Sequence, residues 1–149
     1  MRKSAYQVDW NKLKVLAVED EDYTRNLTIQ ILRNIGVRSI GEARDGKAGL
    51  MEVVRTRPDI VLCDVHMQPM DGIGFLMGLR EIKVQGVDAT RVVMLTADSN
   101  KDTVLLARAQ AVASYLVKPV SLAQLQEKML AEILSDPELQ ARVEVRGRS

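Results

Sequence analysis

The stretch PDIVLCDVHMQPMDG, from Pro58 to Gly72, indicates how this chain folds. It opens with a short apolar run, Ile60 to Cys63, whose β-branched members are typical of a strand buried on both faces of a sheet. Asp64 follows at the carboxyl end of that strand, the edge at which open α/β sheets bind ligands. The turn formers Pro69 and Asp71 then lead into a helix. An acidic residue that only ends a strand fits this stretch equally well, so the rest of the chain must decide.

Strands and helices alternate along the chain. Apolar runs predict strands over Lys14 to Val18, Val37 to Ala43, Ile60 to Cys63, Arg91 to Leu95 and Ala113 to Val117. Helical patterns are predicted over Asp22 to Ile35, Lys47 to Thr56, Ile73 to Ile82 and Asp102 to Gln110, and from an N-cap at Ser121 to Ile133. This alternation predicts an α/β fold in which five helices cover both faces of a parallel sheet of five strands.

Helical spacing also predicts which side chains are buried. In the first helix Leu27, Ile31 and Ile35 recur every four residues and are expected to face the core. In the last helix the expected apolar stripe consists of Leu122, Leu125, Met129 and Ile133. Both helices are therefore predicted to be amphipathic.

Composition limits the class of protein. A chain of 149 residues that is 46% hydrophobic has the size and core of one domain. Its 21 Lys and Arg residues nearly balance 20 Asp and Glu residues, so the overall charge does not indicate nucleic acid or an anionic membrane as partner. We expect a leader over residues 1–13, in which Trp10 packs onto the domain, the domain itself over 14–134, and a short C-terminal extension over 135–149. In that extension Asp136 and Pro137 are suited to start a short helix, and residues 146–149 are expected to be frayed.

The single cysteine and the absence of long apolar runs indicate the compartment. Cys63 excludes an internal disulfide, and its place in a central strand favours a small buried hydrophobe over a reactive thiol. No apolar run approaches the roughly 20 residues of a membrane helix, and the N-terminus lacks a signal peptide's apolar core. We expect a soluble, cytoplasmic protein without a membrane contact.

Polar residues follow most of the predicted strands. Glu19 and Asp20 come after the first strand, Asp64 after the third, Thr96 after the fourth and Lys118 after the fifth. Because parallel strands end at one edge of a sheet, these residues are expected to be neighbours. Three carboxylates repel one another unless a cation neutralises them, and oxygen ligands alone favour Mg²⁺, or Mn²⁺ in its place. A phosphoryl group is a fitting further ligand, and a carboxylate is a competent nucleophile for it.

Each residue also has a plainer interpretation. Glu19 and Asp20 could only favour the first turn of the following helix, and Thr96 could be a turn residue or a cap. Lys118 could be solvated, and Tyr115 could be a half-buried strand residue. The side chain of the sole histidine, His66, is expected on the loop surface and not as a metal ligand.

Taken together, these positions resemble the receiver domain of bacterial two-component response regulators, of the chemotaxis-regulator type. The resemblance extends from Lys14 to Ile133 and depends on five separated positions that agree in order. It implies the flavodoxin-like receiver fold, with strand order 2-1-3-4-5.

The resemblance also implies site roles. Asp64 would be the phosphoacceptor, and Asp20 and Asp64 would bind Mg²⁺ directly. Glu19 would act through metal-bound water, and the backbone carbonyl of His66 would complete the protein ligands.

Further roles follow from the same resemblance. Thr96 would hydrogen-bond the phosphoryl group and Lys118 would pair with it. Tyr115 matches the family's aromatic switch, which turns inward when Thr96 moves toward the phosphate. The bond from Lys118 to Pro119 matches a cis peptide of the family.

Two local features concern the loops beside the site. Gln68 follows Met67 where the family often has proline, and proline comes one place later, at Pro69; we expect altered loop rigidity and an intact site. His66 and Asp98 lie two residues beyond Asp64 and Thr96, at positions that in the family flank the path of hydrolytic water, so they should set the phosphate lifetime.

The implied function is a phosphorylation switch, not a turnover enzyme. Its partners would be a sensor histidine kinase or a histidine phosphotransferase, and an output protein at the surface of the fourth helix, fifth strand and fifth helix. Output by relay and homodimerisation on phosphorylation are further expectations, and no DNA-binding domain is expected after Ile133.

Two other functions stay open. One is a receiver-like scaffold that is never phosphorylated. The other is a phosphatase with an aspartyl-phosphate intermediate, which needs a second acid two residues after the nucleophile, where this chain has His66.

Overall fold

A computed structural model of the chain describes residues 6–97 and 114–147, and its centre is a parallel sheet. The strands are β1 (Lys14–Val18), β2 (Ser39–Ala43), β3 (Ile60–Asp64), β4 (Arg91–Thr96) and β5 (Ser114–Val117). They lie in the order β2-β1-β3-β4-β5, and every neighbouring pair is parallel. This confirms the predicted α/β class and strand order.

Helices cover both faces of the sheet. They are α1 (Asp22–Ile35), α2 (Gly46–Thr56), α3 (Gly72–Arg80), α4 (Leu122–Leu134) and α5 (Pro137–Arg142). Side chains of α2 and α3 pack with Val61 and Cys63 in one apolar cluster, and side chains of α1, α4 and α5 pack with Ile60 and Leu62 in a second. Every residue of β3 is buried, as its continuous apolar run predicts. The predicted helix over Asp102 to Gln110 lies outside the described residues.

Capping residues in the sequence mark the ends of the helices. Gly36 ends α1 in the left-handed conformation, with φ +119°. The side chains of Asp45 and Asp71 accept the backbone N–H groups of residues three positions on, which caps α2 and α3. Ser121 and Gln124 form a reciprocal capping box at the start of α4.

The expected apolar stripes are partly wrong. In α1 the side chain of Leu27 is 42% exposed, and the helix buries Arg25, Ile29 and Leu32 instead. Arg25 can lie on the buried face because its charge is paired within the protein. Ile31 and Ile35 of the expected stripe do pack against the second cluster. In α4 Leu122 is 37% exposed because it is the first residue of the helix.

The two ends of the described chain pack together. Tyr6–Gln7 pairs antiparallel with Arg146–Gly147, and Asp9 N–H donates to the carbonyl of Val143 at 3.0 Å. Trp10 packs against the cluster that contains Leu139, as expected. Asp136 caps the short helix that Pro137 starts, which was also expected. The expectation of a frayed end is wrong at Arg146–Gly147, because that segment pairs with the N-terminal strand.

None of the helices in the described part of the chain has the length and apolar character of a membrane span.

Candidate functional site

The carboxyl edge of the sheet brings together residues that are distant in sequence. Glu19 follows β1, Asp64 ends β3, Thr96 ends β4 and Lys118 follows β5. The Lys118 ammonium lies 2.8 Å from a carboxylate oxygen of Glu19 and 2.8 Å from one of Asp64. The expected cluster therefore exists, with Lys118 as the cation that its two buried acids share.

Three carboxylates meet at this edge. Glu19, Asp20 and Asp64 each offer an oxygen, and these oxygens lie within 4.8 Å of one another. Glu19 and Asp64 are only 5% and 6% exposed, whereas Asp20 is exposed. Burial raises the pKa of Glu19 and of Asp64, although the hydrogen bonds from Lys118 oppose the rise. Negative charge at the cluster thus exceeds what Lys118 neutralises.

The pKa of Lys118 is raised, although burial of a lysine lowers its pKa. Burial alone would lower the pKa of Lys118, but the hydrogen bonds to Asp64 and Glu19 outweigh it, so that the pKa is raised. Lys118 therefore stays charged at neutral pH, and its two contacts leave one of the three N–H donors of its ammonium for a further acceptor.

The donor set fits a hard divalent cation. Carboxylate oxygens are the ligands that Mg²⁺ and Mn²⁺ prefer, and the cluster offers three of them. Asp20 also accepts the backbone N–H of Gln68 at 3.3 Å, which aligns its carboxylate with the loop after β3. A cavity of about 590 Å³, lined in part by Asp20, His66 and Pro69, opens beside this cluster. Of the three acids, Asp20 lines this cavity.

Close backbone packing holds the loop after β3. A side chain at Gly72 would bring its Cβ within 2.3 Å of the carbonyl oxygen of Asp64. Gly72 N–H instead donates to the carbonyl of Val65 at 2.8 Å, which turns the chain back toward the strand end. The Gln68-Pro69 peptide is cis. Only glycine fits at position 72 without moving the backbone of Asp64.

The ends of β4 and β5 are joined directly. Thr96 is fully buried, and its carbonyl accepts the backbone N–H of Lys118 at 2.7 Å. The Lys118-Pro119 peptide is cis, which confirms what the resemblance implied. Thr96 and Lys118 are therefore fixed relative to each other through the main chain.

Other predicted residues lie around this edge. Tyr115 is on β5 and 39% exposed, and the side chain of His66 is on the surface, as expected. Cys63 is fully buried beside Asp64, and burial raises the pKa of its thiol, which confirms it as a core residue. Asp98 lies outside the described residues.

Arg25 contacts the site although it was not predicted to. This residue is 6% exposed, and it donates to the backbone carbonyl of Glu19 at 2.8 Å. It also donates to Asp22 at 2.6 Å and to Glu42 at 3.0 Å. The available signal was its spacing, since Arg25 lies four residues before Ile29 on the face that α1 buries.

Comparison with known proteins agrees with this geometry. Residues 15–130 match the model of the response regulator receiver domain. The chain is 31% identical over 117 residues to chemotaxis protein CheY-3 of Vibrio cholerae, which covers 78% of this chain and 88% of CheY-3. It is 35% identical over 112 residues to transcriptional regulatory protein PdtaR of Mycobacterium tuberculosis, which covers 75% of this chain. The chain spans only 52% of the length of PdtaR.

Solved structures give the same result. A chain of the CheX-CheY-BeF₃-Mg²⁺ complex of Borrelia burgdorferi is similar with a TM-score of 0.70 and 26% identity. The match covers 80% of this chain and 87% of that one. Fold, residue order and sequence similarity together show that this chain belongs to the family of response regulator receiver domains.

Proposed function

We propose that this chain is a phosphorylation switch that takes a phosphoryl group onto Asp64 from a histidine kinase or a histidine phosphotransferase. The observation that carries the proposal is the position of Lys118, whose ammonium lies 2.8 Å from Asp64 inside a group of three carboxylates. One end of the candidate nucleophile is thus paired with a cation, and its neighbours can bind another.

The chemistry assigns a role to each residue. An oxygen of the Asp64 carboxylate forms a bond to phosphorus while the bond from phosphorus to the histidine nitrogen breaks, and that nitrogen keeps the electron pair. Lys118 pairs with the phosphoryl oxygens, and the Thr96 hydroxyl donates to one of them. These contacts stabilise the charge of the transferred group.

A divalent cation would complete the site. Asp20, Asp64 and the backbone carbonyl of His66 would hold Mg²⁺, or Mn²⁺ in its place, with Glu19 acting through a bound water. When bound, the ion supplies positive charge to the phosphoryl oxygens. The similarity to a chain of the Borrelia complex, which contains Mg²⁺ and BeF₃, supports this assignment.

Output is proposed to pass through the surface beside Tyr115. Phosphorylation draws Thr96 toward the phosphate and biases Tyr115 inward, in a population shift between two states. Tyr115, Val117 and Leu122 are 39%, 40% and 37% exposed, so apolar side chains of β5 and α4 are available to a partner. Output by protein contact accords with the similarity to a chemotaxis protein, and onward relay of the phosphoryl group uses the same site.

The other functions have less support. A scaffold that is never phosphorylated does not need Asp20, Thr96 and Lys118 all at one edge. A phosphatase needs a second acid where the chain has His66. We therefore propose that the chain is not a turnover enzyme, that it acts in the cytoplasm, and that His66 and Asp98 set the lifetime of the phosphate.

The test is intact mass after incubation with acetyl phosphate, with and without Mg²⁺. We expect the wild-type chain to gain one phosphoryl group only with Mg²⁺, and Asp64→Asn to gain none, because an amide is not a nucleophile for phosphorus. Asp59→Asn, at the other end of the same strand, is the matched control and should be phosphorylated normally. A full phosphoprotein signal in Asp64→Asn would contradict the assignment. If the wild type shows no gain, a stable complex with beryllium fluoride would indicate a short-lived phosphate, and its absence would favour the scaffold.

A further inference from the structure

We propose that Arg25 is a positioning residue for the metal site, which it serves by fixing the backbone of the segment that carries Glu19 and Asp20. This inference rests on the proposed function, because it takes the carboxylate cluster to be a Mg²⁺ site. In the described part of the chain, the Arg25 guanidinium donates to Glu19, Asp22 and Glu42, and not to Asp64. It acts on the site through the main chain of Glu19.

The guanidinium of Arg25 connects three parts of the structure. One nitrogen donates to the carbonyl of Glu19 at 2.8 Å, a second to Asp22 at 2.6 Å and the third to Glu42 at 3.0 Å. Glu19 follows β1, Asp22 starts α1 and Glu42 lies in β2. The rigid planar fork of an arginine suits three acceptors in different directions, which a lysine ammonium on a flexible stem does not replace.

Both backbone groups of Glu19 are hydrogen-bonded. Its N–H donates to the carbonyl of Ala43 at 3.0 Å, at the end of β2, and its carbonyl accepts from Arg25. Asp20, an expected metal ligand, is the next residue. Without the bond to Arg25, the segment from Glu19 to α1 would lose its anchor on the carbonyl side. Repulsion among the three carboxylates would then push Asp20 away from Asp64.

A positioning role and a purely electrostatic role of Arg25 predict opposite changes in Mg²⁺ affinity when Arg25 is removed. A positive charge near a cation site weakens cation binding, so if Arg25 acted only by its charge, removing it would tighten Mg²⁺ binding. If Arg25 positions the segment, removing it loosens Mg²⁺ binding. The charge is also balanced locally by Asp22 and Glu42, which favours the positional effect.

The choice of metal gives a second discriminating measurement. Mg²⁺ demands near-ideal octahedral geometry, whereas Ca²⁺ tolerates irregular and flexible ligand sets. A loosened Asp20 should therefore weaken Mg²⁺ binding more than Ca²⁺ binding. A general loss of structure would weaken both to the same extent.

The experiment is calorimetric titration of the full chain with Mg²⁺ and with Ca²⁺. The variants are Arg25→Met and Arg25→Lys, and the control is Arg55→Met, which removes an arginine that is 70% exposed and pairs with Glu52 on α2. We expect Arg25→Met to lose about tenfold in Mg²⁺ affinity, the lower end of what outer partners of a metal site contribute. Arg25→Lys should lose nearly as much, Ca²⁺ affinity should fall less, and Arg55→Met should bind as the wild type does.

Several outcomes would overturn the inference. Mg²⁺ binding by Arg25→Met as tight as in the wild type, or tighter, contradicts a positioning role, and so does full rescue by Arg25→Lys. Equal losses for Mg²⁺ and Ca²⁺ would show general loosening instead. If Arg25→Met does not fold by circular dichroism, Glu42→Ala and Glu42→Gln decide the question together: both remove the charge, but glutamine keeps an oxygen that can accept the Arg25 hydrogen bond. A positioning role predicts weaker Mg²⁺ binding in Glu42→Ala than in Glu42→Gln, and equal binding in the two variants overturns the proposal.

Failure of the underlying metal site is recognised separately. Asp20→Asn removes an expected ligand and should reduce Mg²⁺ binding strongly in the same titration. The metal site and the role of Arg25 would be refuted together if the wild type bound no Mg²⁺. They would also be refuted together if Asp20→Asn bound Mg²⁺ as tightly as the wild type. Normal dependence on Asp20 with no dependence on Arg25 would refute only the inference.

Discussion

Two aspartates stand at opposite ends of the central strand, and their surroundings differ. Asp59, just before β3, and Asp64, at its end, have side chains that are 8% and 9% exposed. Asp59 accepts two hydrogen bonds from the guanidinium of Arg142 and one from the backbone N–H of Lys14 at 2.8 Å. Asp64 instead shares the ammonium of Lys118 with Glu19.

The difference separates a structural charge from a functional one. At the amino end one buried acid has one guanidinium, so its charge is matched within the protein. At the carboxyl end two buried acids share one ammonium, and a third, exposed acid lies beside them. A buried charge that its partners do not neutralise is costly, and such excess marks a place where a ligand completes the site. We infer that the acid at the amino end of β3 stabilises the fold and that the acids at its carboxyl end bind a ligand.

The largest expected effect on stability concerns the amino end of β3, where apolar side chains also pack together. Leu139 on α5 is 4% exposed and packs in the cluster that contains Leu13. Leu139→Ala should lower the free energy of unfolding by about 3 kcal/mol, because it leaves a cavity in the core. Urea unfolding measures this, and Leu27→Ala, at a residue that is 42% exposed, is the control. A loss below about 1 kcal/mol would show that the C-terminal helix is not part of the folded core.

A smaller loss should follow from breaking the matched charge itself. Asp59→Asn removes the anion that Arg142 contacts and leaves the guanidinium without its partner carboxylate. We expect the free energy of unfolding to fall by about 1–2 kcal/mol, with phosphorylation unchanged. Unaltered stability in this variant would contradict the structural role of the pair, and a loss of phosphorylation would contradict the separation of the two ends.

The smallest effect is a dependence on pH at the carboxyl end. Burial raises the pKa of Asp64 above its ordinary value of 3.8 and that of Glu19 above 4.5. The stability that these groups contribute is present below those ordinary values and is lost as the pH rises through the raised ones. In the chelator EDTA, the wild type should therefore lose stability relative to Asp64→Asn as the pH rises from about 4, since the variant lacks one of the two groups. A difference that stays constant with pH would contradict this account.

Much of the fold was predictable because it depends on local pattern. The apolar run before Asp64 specified a buried strand, and the alternation with helices specified a parallel sheet. Parallel topology then brought Glu19, Asp64 and Lys118 to one edge, where the structure has them. The family resemblance added the cis bond before Pro119.

Other features depend on tertiary contacts, for which the local signal is weak or absent. The strand pair of Tyr6–Gln7 and Arg146–Gly147 is too short for a periodic pattern. Arg25 looks like a surface residue of an amphipathic helix until Glu42, from another strand, is placed beside it. Leu27 was expected in the core from its spacing to Ile31, but tertiary packing decides which face α1 buries, and that face carries Ile29 and Leu32.

The most direct test compares stabilisation by Mg²⁺ in the wild type, Asp59→Asn and Asp64→Asn, measured by urea unfolding with and without the ion. Mg²⁺ at tenfold its dissociation constant should raise the free energy of unfolding by about 1.4 kcal/mol when only the folded state binds it. The account predicts this gain in the wild type and in Asp59→Asn, and a much smaller gain in Asp64→Asn. An equal gain in Asp64→Asn, or its loss in Asp59→Asn, would contradict the claim that the excess of acids at the carboxyl end is the binding site.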